Sequence, residues 1–391
     1  MGNVGQVTNF ATWDRATKGR SAPFAVVDLD AYDANAADLV RRAGGRPIRV
    51  ASKSIRVRRL LERALATPGF VGVMAYSLPE ALWLAGHGVD DLFVAYPTTD
   101  REALLALAAD ERALEQVSIA VDSAEHVDAL RRWLPHGAPV RVVVDVDASL
   151  RVGPAHLGVR RSPLRSPRSA AAVATAAQRA GLRVVGLMFY DAQIAGLPDS
   201  SPAVRLVKRR SHASLRRRRG AVRAAVERAV GPLTIVNGGG TGSLEVTGTD
   251  PALTELAAGS GLVGPTLFDG YDAFTPQPAV GFALPVVRRP ARDVVTCFSG
   301  GYIASGPAGD SRVPTPVHPA GLSLVGTEGA GEVQTPLRGK AARDLTIGDR
   351  VWWRHAKAGE PAERFAEYVV ISGGEVVDVV PTYRGEGRCF G

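Results

Sequence analysis

Lys53 ends a β-branched run, "PIRVASK" (47–53), and an amphipathic helical stretch, "RVRRLLERALA", follows it. It sits between Ser52 and Ser54 and is one of five lysines in a chain that takes most of its positive charge from arginine. An amine held at a strand end, with its stem against an apolar wall, gives up its proton more readily because the wall disfavours the charged form. The neutral amine is the nucleophile that forms a Schiff base with a carbonyl. A surface ammonium is the plain alternative, and position alone does not separate the two. Two glycine-rich segments, "VNGGGTGS" (236–243) and "AAGSGL" (257–262), tilt the balance. Glycines let a backbone approach an anion, and successive amides then point at its oxygens. Thr241, Ser243 and Ser260 add hydroxyl donors. One such loop is only a turn; two at neighbouring strand ends, together with a strand-end lysine, suggest a phosphate grip and pyridoxal 5′-phosphate.

These residues need a scaffold, and the chain supplies one by alternation. Seven further β-branched runs follow the first, at 72–77, 91–97, 117–123, 140–147, 184–191, 233–240 and 255–263. Between them lie stretches with apolar residues three and four apart, such as "LPEALWLAGHG", "EHVDALRRWL" and "DPALTELAA". Strand–helix alternation implies parallel pairing, and eight units close a (β/α)8 barrel. The last unit is the weakest, because "ELAAGSG" also reads as the end of a helix; an open doubly wound sheet is the alternative. In a barrel, chemistry sits at the C-terminal ends of the strands, and the loops after the last two often hold phosphate. After residue 280 short strands with Gly, Pro and Asp turns take over, as in "FALPVVRRPARDVVTCFSGGYIA". The expected class is α/β, a barrel over 25–280 followed by an all-β domain over 281–391, with 1–24 packing on the second domain.

The segments "APFAVVDLDAYDANAADLVRRAGGRPIRVASKS" (22–54), "GLMFYDAQIAG" (186–196), "VNGGGTGS", "AAGSGL", "RHAKAGEPAERFAEYVV" and "TYRGEG" together resemble the alanine-racemase-type, or fold type III, pyridoxal phosphate enzymes. Within them the chain is most similar to the D-threonine aldolase and D-serine dehydratase branch. The resemblance implies that Lys53 carries the cofactor and that Tyr190 lies beside its pyridine nitrogen, although a barrel-interior aromatic is the bland reading of Tyr190. It implies that Asn237, Gly238, Gly239, Gly240 and Thr241, with Gly259 and Ser260, bind the phosphate.

The chain departs from the family pattern twice. The resemblance to that branch implies a metal site near the C-terminus, made of a histidine and, two residues on, an aspartate or cysteine. Here His355 is followed by Lys357, a poor metal ligand when protonated. No metal is therefore expected; His355 is expected to move the proton of a substrate β-hydroxyl, with a structural histidine as the alternative. In "DVDASLRVGPAHLGVRRSP" (145–163) His156 stands where the family often has an arginine near the cofactor's phenolic oxygen. His156 is expected at that oxygen, with Arg151, Arg160 and Arg161 as possible replacements. The implied activity is Cα–Cβ cleavage of β-hydroxy-α-amino acids, or the reverse addition. The alternatives are a dehydratase, a racemase using Tyr302 or Tyr383 as second base, and a non-catalytic cofactor carrier.

Composition narrows the partners. The formal charge is +8 and the pI about 9.8. The densest basic cluster, residues 205–230, has no interleaved aromatics and runs into an alanine-rich helical pattern, so it reads as a solvated helix face rather than a nucleic-acid site. No apolar run reaches the roughly 18 residues a membrane span needs. The opening residues lack an apolar signal core, and Cys297 and Cys389 are far apart, so a cytoplasmic enzyme of small amino acids and aldehydes is expected, working as a homodimer.

Overall fold

The computed structural model describes the backbone of residues 4–391 and the side chains of residues 10–391. β1 (Phe24–Asp28) is buried along its length, and its last residue caps the helix Leu29–Ala43, Asp28 accepting the Ala31 amide at 3.1 Å. The chain then enters β2 (Ile48–Ala51), β3 (Phe70–Ala75), β4 (Leu92–Val94), β5 (Val117–Val121) and β6 (Arg141–Asp145). A small hairpin of β7 (Leu150–Val152) and β8 (Ala155–Leu157) interrupts the series before β9 (Arg183–Phe189), β10 (Ile235–Gly238) and β11 (Glu255–Ala258). All except β1 and the hairpin close into one parallel barrel, β11 pairing back onto β2. The crossover helices are capped by side chains at the expected polar residues: Ser77, Asp100, Ser123 and Ser166 each accept an amide from the first turn. Their apolar faces and the outward strand residues form one continuous core.

The eight-unit barrel followed by a β-sheet domain is thus the architecture of the chain. The eighth strand, expected over 255–263, forms over 255–258, while the helix also read over "DPALTELAA" does not form. Residues 255–258 are β11, because the slot between β10 and β2 closes the barrel and overrides the helical propensity of Leu-Ala-Ala.

The second sheet is built from β12 (Val280–Ala291), β13 (Val294–Phe298), β14 (Thr315–His318), β15 (Ser323–Leu324), β16 (Gln334–Arg338), β17 (Arg350–Arg354), β18 (Glu367–Ser372) and β19 (Glu375–Pro381). Residues 25–28, expected at the start of the barrel, lie in this sheet: β1 pairs antiparallel with β12 and parallel with β18. The sheet is therefore closed over by both ends of the chain. Phe10 and Trp13, from the helix Val4–Ala16, pack against Phe24, Val26, Trp352 and Ile371. Trp13 also donates its indole N–H to Asp28 at 2.7 Å, which satisfies a polar atom that would otherwise be buried alone. Among the described residues no helix is long and apolar enough to cross a membrane.

Candidate active site

Strand alternation decides what enters the barrel. Phe93, Ala95, Ala120, Val143, Met188 and Ile235 point inward and form a small apolar plug. Near it, inward-pointing Arg49 makes a bidentate pair with Glu255, both bonds 2.7 Å, and Glu255 also accepts the Asn237 amide at 2.7 Å. Beyond the plug, at the C-terminal ends of the strands, a cavity opens whose wall includes Lys53, Tyr96, Arg161, Tyr190 and both glycine-rich segments.

Lys53 leaves β2 in a 3-10 turn, Ser52–Ser54, and is half-buried. Its Nζ donates to the Tyr96 hydroxyl at 2.8 Å. Burial alone would raise the Tyr96 phenol, but Lys53 and Arg161 outweigh it and hold its pKa below the usual tyrosine value. The Arg161 guanidinium lies 4.6 Å from the Tyr190 ring centre and 5.4 Å from that of Tyr96. Asp145, at the end of β6, is buried, and this desolvation pushes its carboxyl up to about 7 although Arg161 opposes the shift.

The glycine loops face this group. Gly239 has φ +82°, which favours glycine, and a Cβ on Gly242 would stand 2.2 Å from the Ala195 carbonyl oxygen. A Cβ on Gly259 would stand 2.5 Å from the Ala51 carbonyl oxygen, so the eighth strand end lies directly on the strand that delivers Lys53. The Thr241 hydroxyl ties the loops together, accepting from the Gly261 amide and from Ser260, both at 3.2 Å. Behind them, Asp191 accepts from Thr247 at 2.8 Å and from Arg219 at 3.0 Å, and Arg219 also pairs with Asp250 at 3.3 Å. Arg219, Asp191 and Asp250 are fully buried.

Lys53, Tyr190, Asn237, Gly239, Gly240, Thr241, Gly259 and Ser260 therefore meet in one cavity. Gly238 is adjacent but faces outward, a Cβ there falling 3.0 Å from Arg219 and 3.2 Å from Leu253. Two expected residues are elsewhere. His156 sits on β8, its Nε2 3.3 Å from the Val159 carbonyl, outside the cavity wall. The β7–β8 hairpin folds back on itself, and it is Arg161, beyond the hairpin, that reaches the site. His355 is also absent from the wall. It is buried, burial pulls its imidazole down to about 3, and neither ring nitrogen makes a well-aligned hydrogen bond.

The residue that sequence reading missed outright is Tyr96. It ends "DLFVAYP" as Tyr190 ends "LMFYD", each a polar aromatic at the C-terminal end of a barrel strand, and that shared position was the available signal. Glu80 was missed too. It is fully buried one turn into the helix Leu78–Gly86 and accepts from the Tyr76 amide at 2.8 Å and the Tyr383 hydroxyl at 3.0 Å. Tyr383 is thereby buried and committed.

The same frame is found in known proteins. The family model described as alanine racemase, N-terminal domain, matches residues 27–266. A D-threonine aldolase of an Arthrobacter species is 26% identical over 295 residues, which is 71% of either chain. The crystal structure of D-threonine aldolase from Filomicrobium marinum superimposes with a TM-score of 0.79 at 22% identity, covering 93% of this chain and 95% of that one. D-threo-3-hydroxyaspartate dehydratase from Delftia sp. HT23 follows at 0.76 and 18%, covering 93% and 98%. Alanine racemase from Bacillus anthracis gives 0.63 at 14% identity, over 94% and 99%. At these identities the solved structures establish a shared fold.

Proposed function

The chain belongs to the alanine racemase N-terminal domain family, and from that premise and the geometry of the cavity we propose that it is a pyridoxal 5′-phosphate-dependent lyase that cleaves, or forms, the Cα–Cβ bond of β-hydroxy-α-amino acids. The observation that carries the reading is Lys53 Nζ, held at 2.8 Å on a phenol at the mouth of a closed barrel, opposite two glycine-rich loops. The residues present fit that cofactor. A primary amine is available for its aldehyde, backbone amides and the Thr241 and Ser260 hydroxyls for its phosphate, and Arg161 for its phenolic oxygen. When bound, the cofactor supplies an electron sink for the carbon beside the substrate's amino group.

The chain's own part is positioning and proton handling. Arg161 carries a permanent charge and fixes the orientation of a neighbouring anion more firmly than His156 would. Tyr190 presents a neutral aromatic face to the cavity. The knot at Thr241 keeps both loops at one spacing. We place the substrate β-hydroxyl on the side bordered by Lys357, which lies within electrostatic reach of Lys53, and leave His355, buried outside the cavity wall, as a structural histidine of that segment. Gly359 lies against the Lys53 backbone, a Cβ there meeting the Lys53 carbonyl oxygen at 2.3 Å, so the 355–359 segment borders the site. The donors do not fit a divalent metal. Lys357 stands two residues from His355, while Glu360 is spent on the Ser305 amide at 3.1 Å and Glu363 on Arg56. A homodimer is the assembly we propose. Exposed Phe298 and Val333 are brought together by the backbone hydrogen bond from Ser299 to Val333, with exposed Ile303 close in sequence.

The test is turnover of D-threonine, D-phenylserine and D-serine by protein loaded with pyridoxal phosphate, with and without manganese, zinc and a chelator. Glycine plus an aldehyde is expected. Pyruvate or 2-oxobutyrate would make the enzyme a dehydratase instead. Borohydride should fix the cofactor onto the peptide containing Lys53, and Lys53→Ala should lose both the fixed label and turnover. A label on any other lysine overturns the reading.

A further inference from the structure

The phenol that holds Lys53 has so far been given no chemical step, yet the Tyr96 oxygen is the one hydrogen-bond acceptor that Lys53 Nζ meets among the described residues. We propose that Tyr96 is a catalytic residue: its phenolate takes the proton of the Lys53 ammonium when the cofactor is loaded, and its phenol returns a proton to the departing oxygen.

The inference rests on the proposed cofactor and concerns how this chain makes its lysine reactive. An ammonium cannot attack a carbonyl, because its nitrogen has no free electron pair. Lys53 must therefore lose a proton, and the acceptor must lie within hydrogen-bond reach. Tyr96 does, at 2.8 Å. The surroundings favour its anionic form. The two charges that face the phenol are both positive, Lys53 from the β2 turn and Arg161 from beyond the hairpin, the latter 5.4 Å from the ring centre. Arg161 is shared with the Tyr190 ring just beyond β9, and it also faces the buried Asp145 carboxyl, beside which stand Asp122 and Asp147. The phenol packs on the apolar plug, and the direct 2.8 Å contact lets the proton pass between the two side chains without a bridging water.

The step balances. Proton transfer leaves a neutral amine and a neutral phenol. The amine's electron pair forms the C–N bond, and the carbonyl π pair goes to oxygen. That oxygen leaves as water, carrying one proton from the attacking nitrogen and one from the Tyr96 phenol. The phenolate is restored, and the new C=N nitrogen keeps one proton and the positive charge.

The experiment is stopped-flow loading of pyridoxal phosphate into apoprotein, followed by the absorbance of the lysine-bound cofactor between pH 6 and 9. Wild-type, Tyr96→Phe and Lys53→Ala proteins are compared. A positioned acid–base group is worth roughly 100-fold or more. Tyr96→Phe should load at least tenfold more slowly and show a rate that climbs with pH, because solvent must then take the proton. In parallel, the Lys53 amine titration in apoprotein, read by NMR of reductively ¹³C-methylated protein, should move in Tyr96→Phe. Loading at the wild-type rate with the wild-type pH profile overturns the proposal. Should Tyr96→Phe fail to fold, 3-fluorotyrosine at position 96 keeps the shape and acidifies the phenol. The loading profile should then shift to lower pH, and an unshifted profile overturns the proposal. If wild-type protein forms no lysine-bound chromophore, the cofactor reading itself falls and the Tyr96 role with it; normal wild-type loading with indifferent Tyr96 variants removes only the latter.

Discussion

Glu80 shows what a single buried carboxyl does to the pH response of this protein. It is 0% exposed, and desolvation pushes its pKa to about 7 in spite of hydrogen bonds from Ser52, Tyr76 and Tyr383. In the unfolded chain the group titrates near 4.3. The folded state thus holds its proton more tightly, and stability falls as pH rises from the unfolded value through about 7. Glu80→Gln should remove this slope. Urea unfolding at pH 5 and pH 8 should show the difference between the two conditions shrinking by up to about 3 kcal/mol relative to wild type. His355 acts with the opposite sign. Its imidazole is held neutral down to about 3, so its contribution is present at neutral pH and lost on acidification. Sequence spacing made Lys53 and the glycine loops legible, because a strand end followed by a helix, and three glycines in a row, have few other uses. It could not place Arg161 over His156, since only the β7–β8 hairpin decides which of the two turns inward.

One element repeats the lesson with larger forces. The helix Pro202–Val230 carries exposed Arg209, Arg210, Arg216 and Arg217, as expected of a solvated basic face. Arg219 of the same cluster is fully buried with Asp191 and Asp250. It falls on the helix stripe of Ser211, Leu215, Val222 and Val226, so the phase of the apolar pattern singled it out even though the arginine run hid it. Because Asp191 follows Tyr190 and holds Thr247, the helix braces the back of the "GGGTG" loop. Arg219→Leu leaves two buried carboxylates unpaired and should cost about 3–5 kcal/mol. Arg217→Ala should stay within about 0.5 kcal/mol. Thermal unfolding separates the two, and equilibrium titration with pyridoxal phosphate should show weaker binding for the Arg219 variant alone.

At the scale of the molecule, the barrel was legible because each unit repeats the same strand and helix pattern. The role of residues 24–28 was not, since "FAVVD" says that a strand is buried but not in which sheet. The structure gives it to the second one, sealed by Trp13, which is 0% exposed. Trp13→Ala should therefore destabilise the sheet by about 3–5 kcal/mol. Limited proteolysis should show the first cuts near the β-domain, while the barrel fragment persists.

The place of β1 between β12 and β18 also fixes an order of events during synthesis. Val26 leaves the ribosome long before its partners Gly281 and Val369 are translated. Until then the apolar stretch of residues 24–27 must wait without a neighbour while the eight units behind it wind up, exposed to wrong pairings of the kind unpaired strands invite.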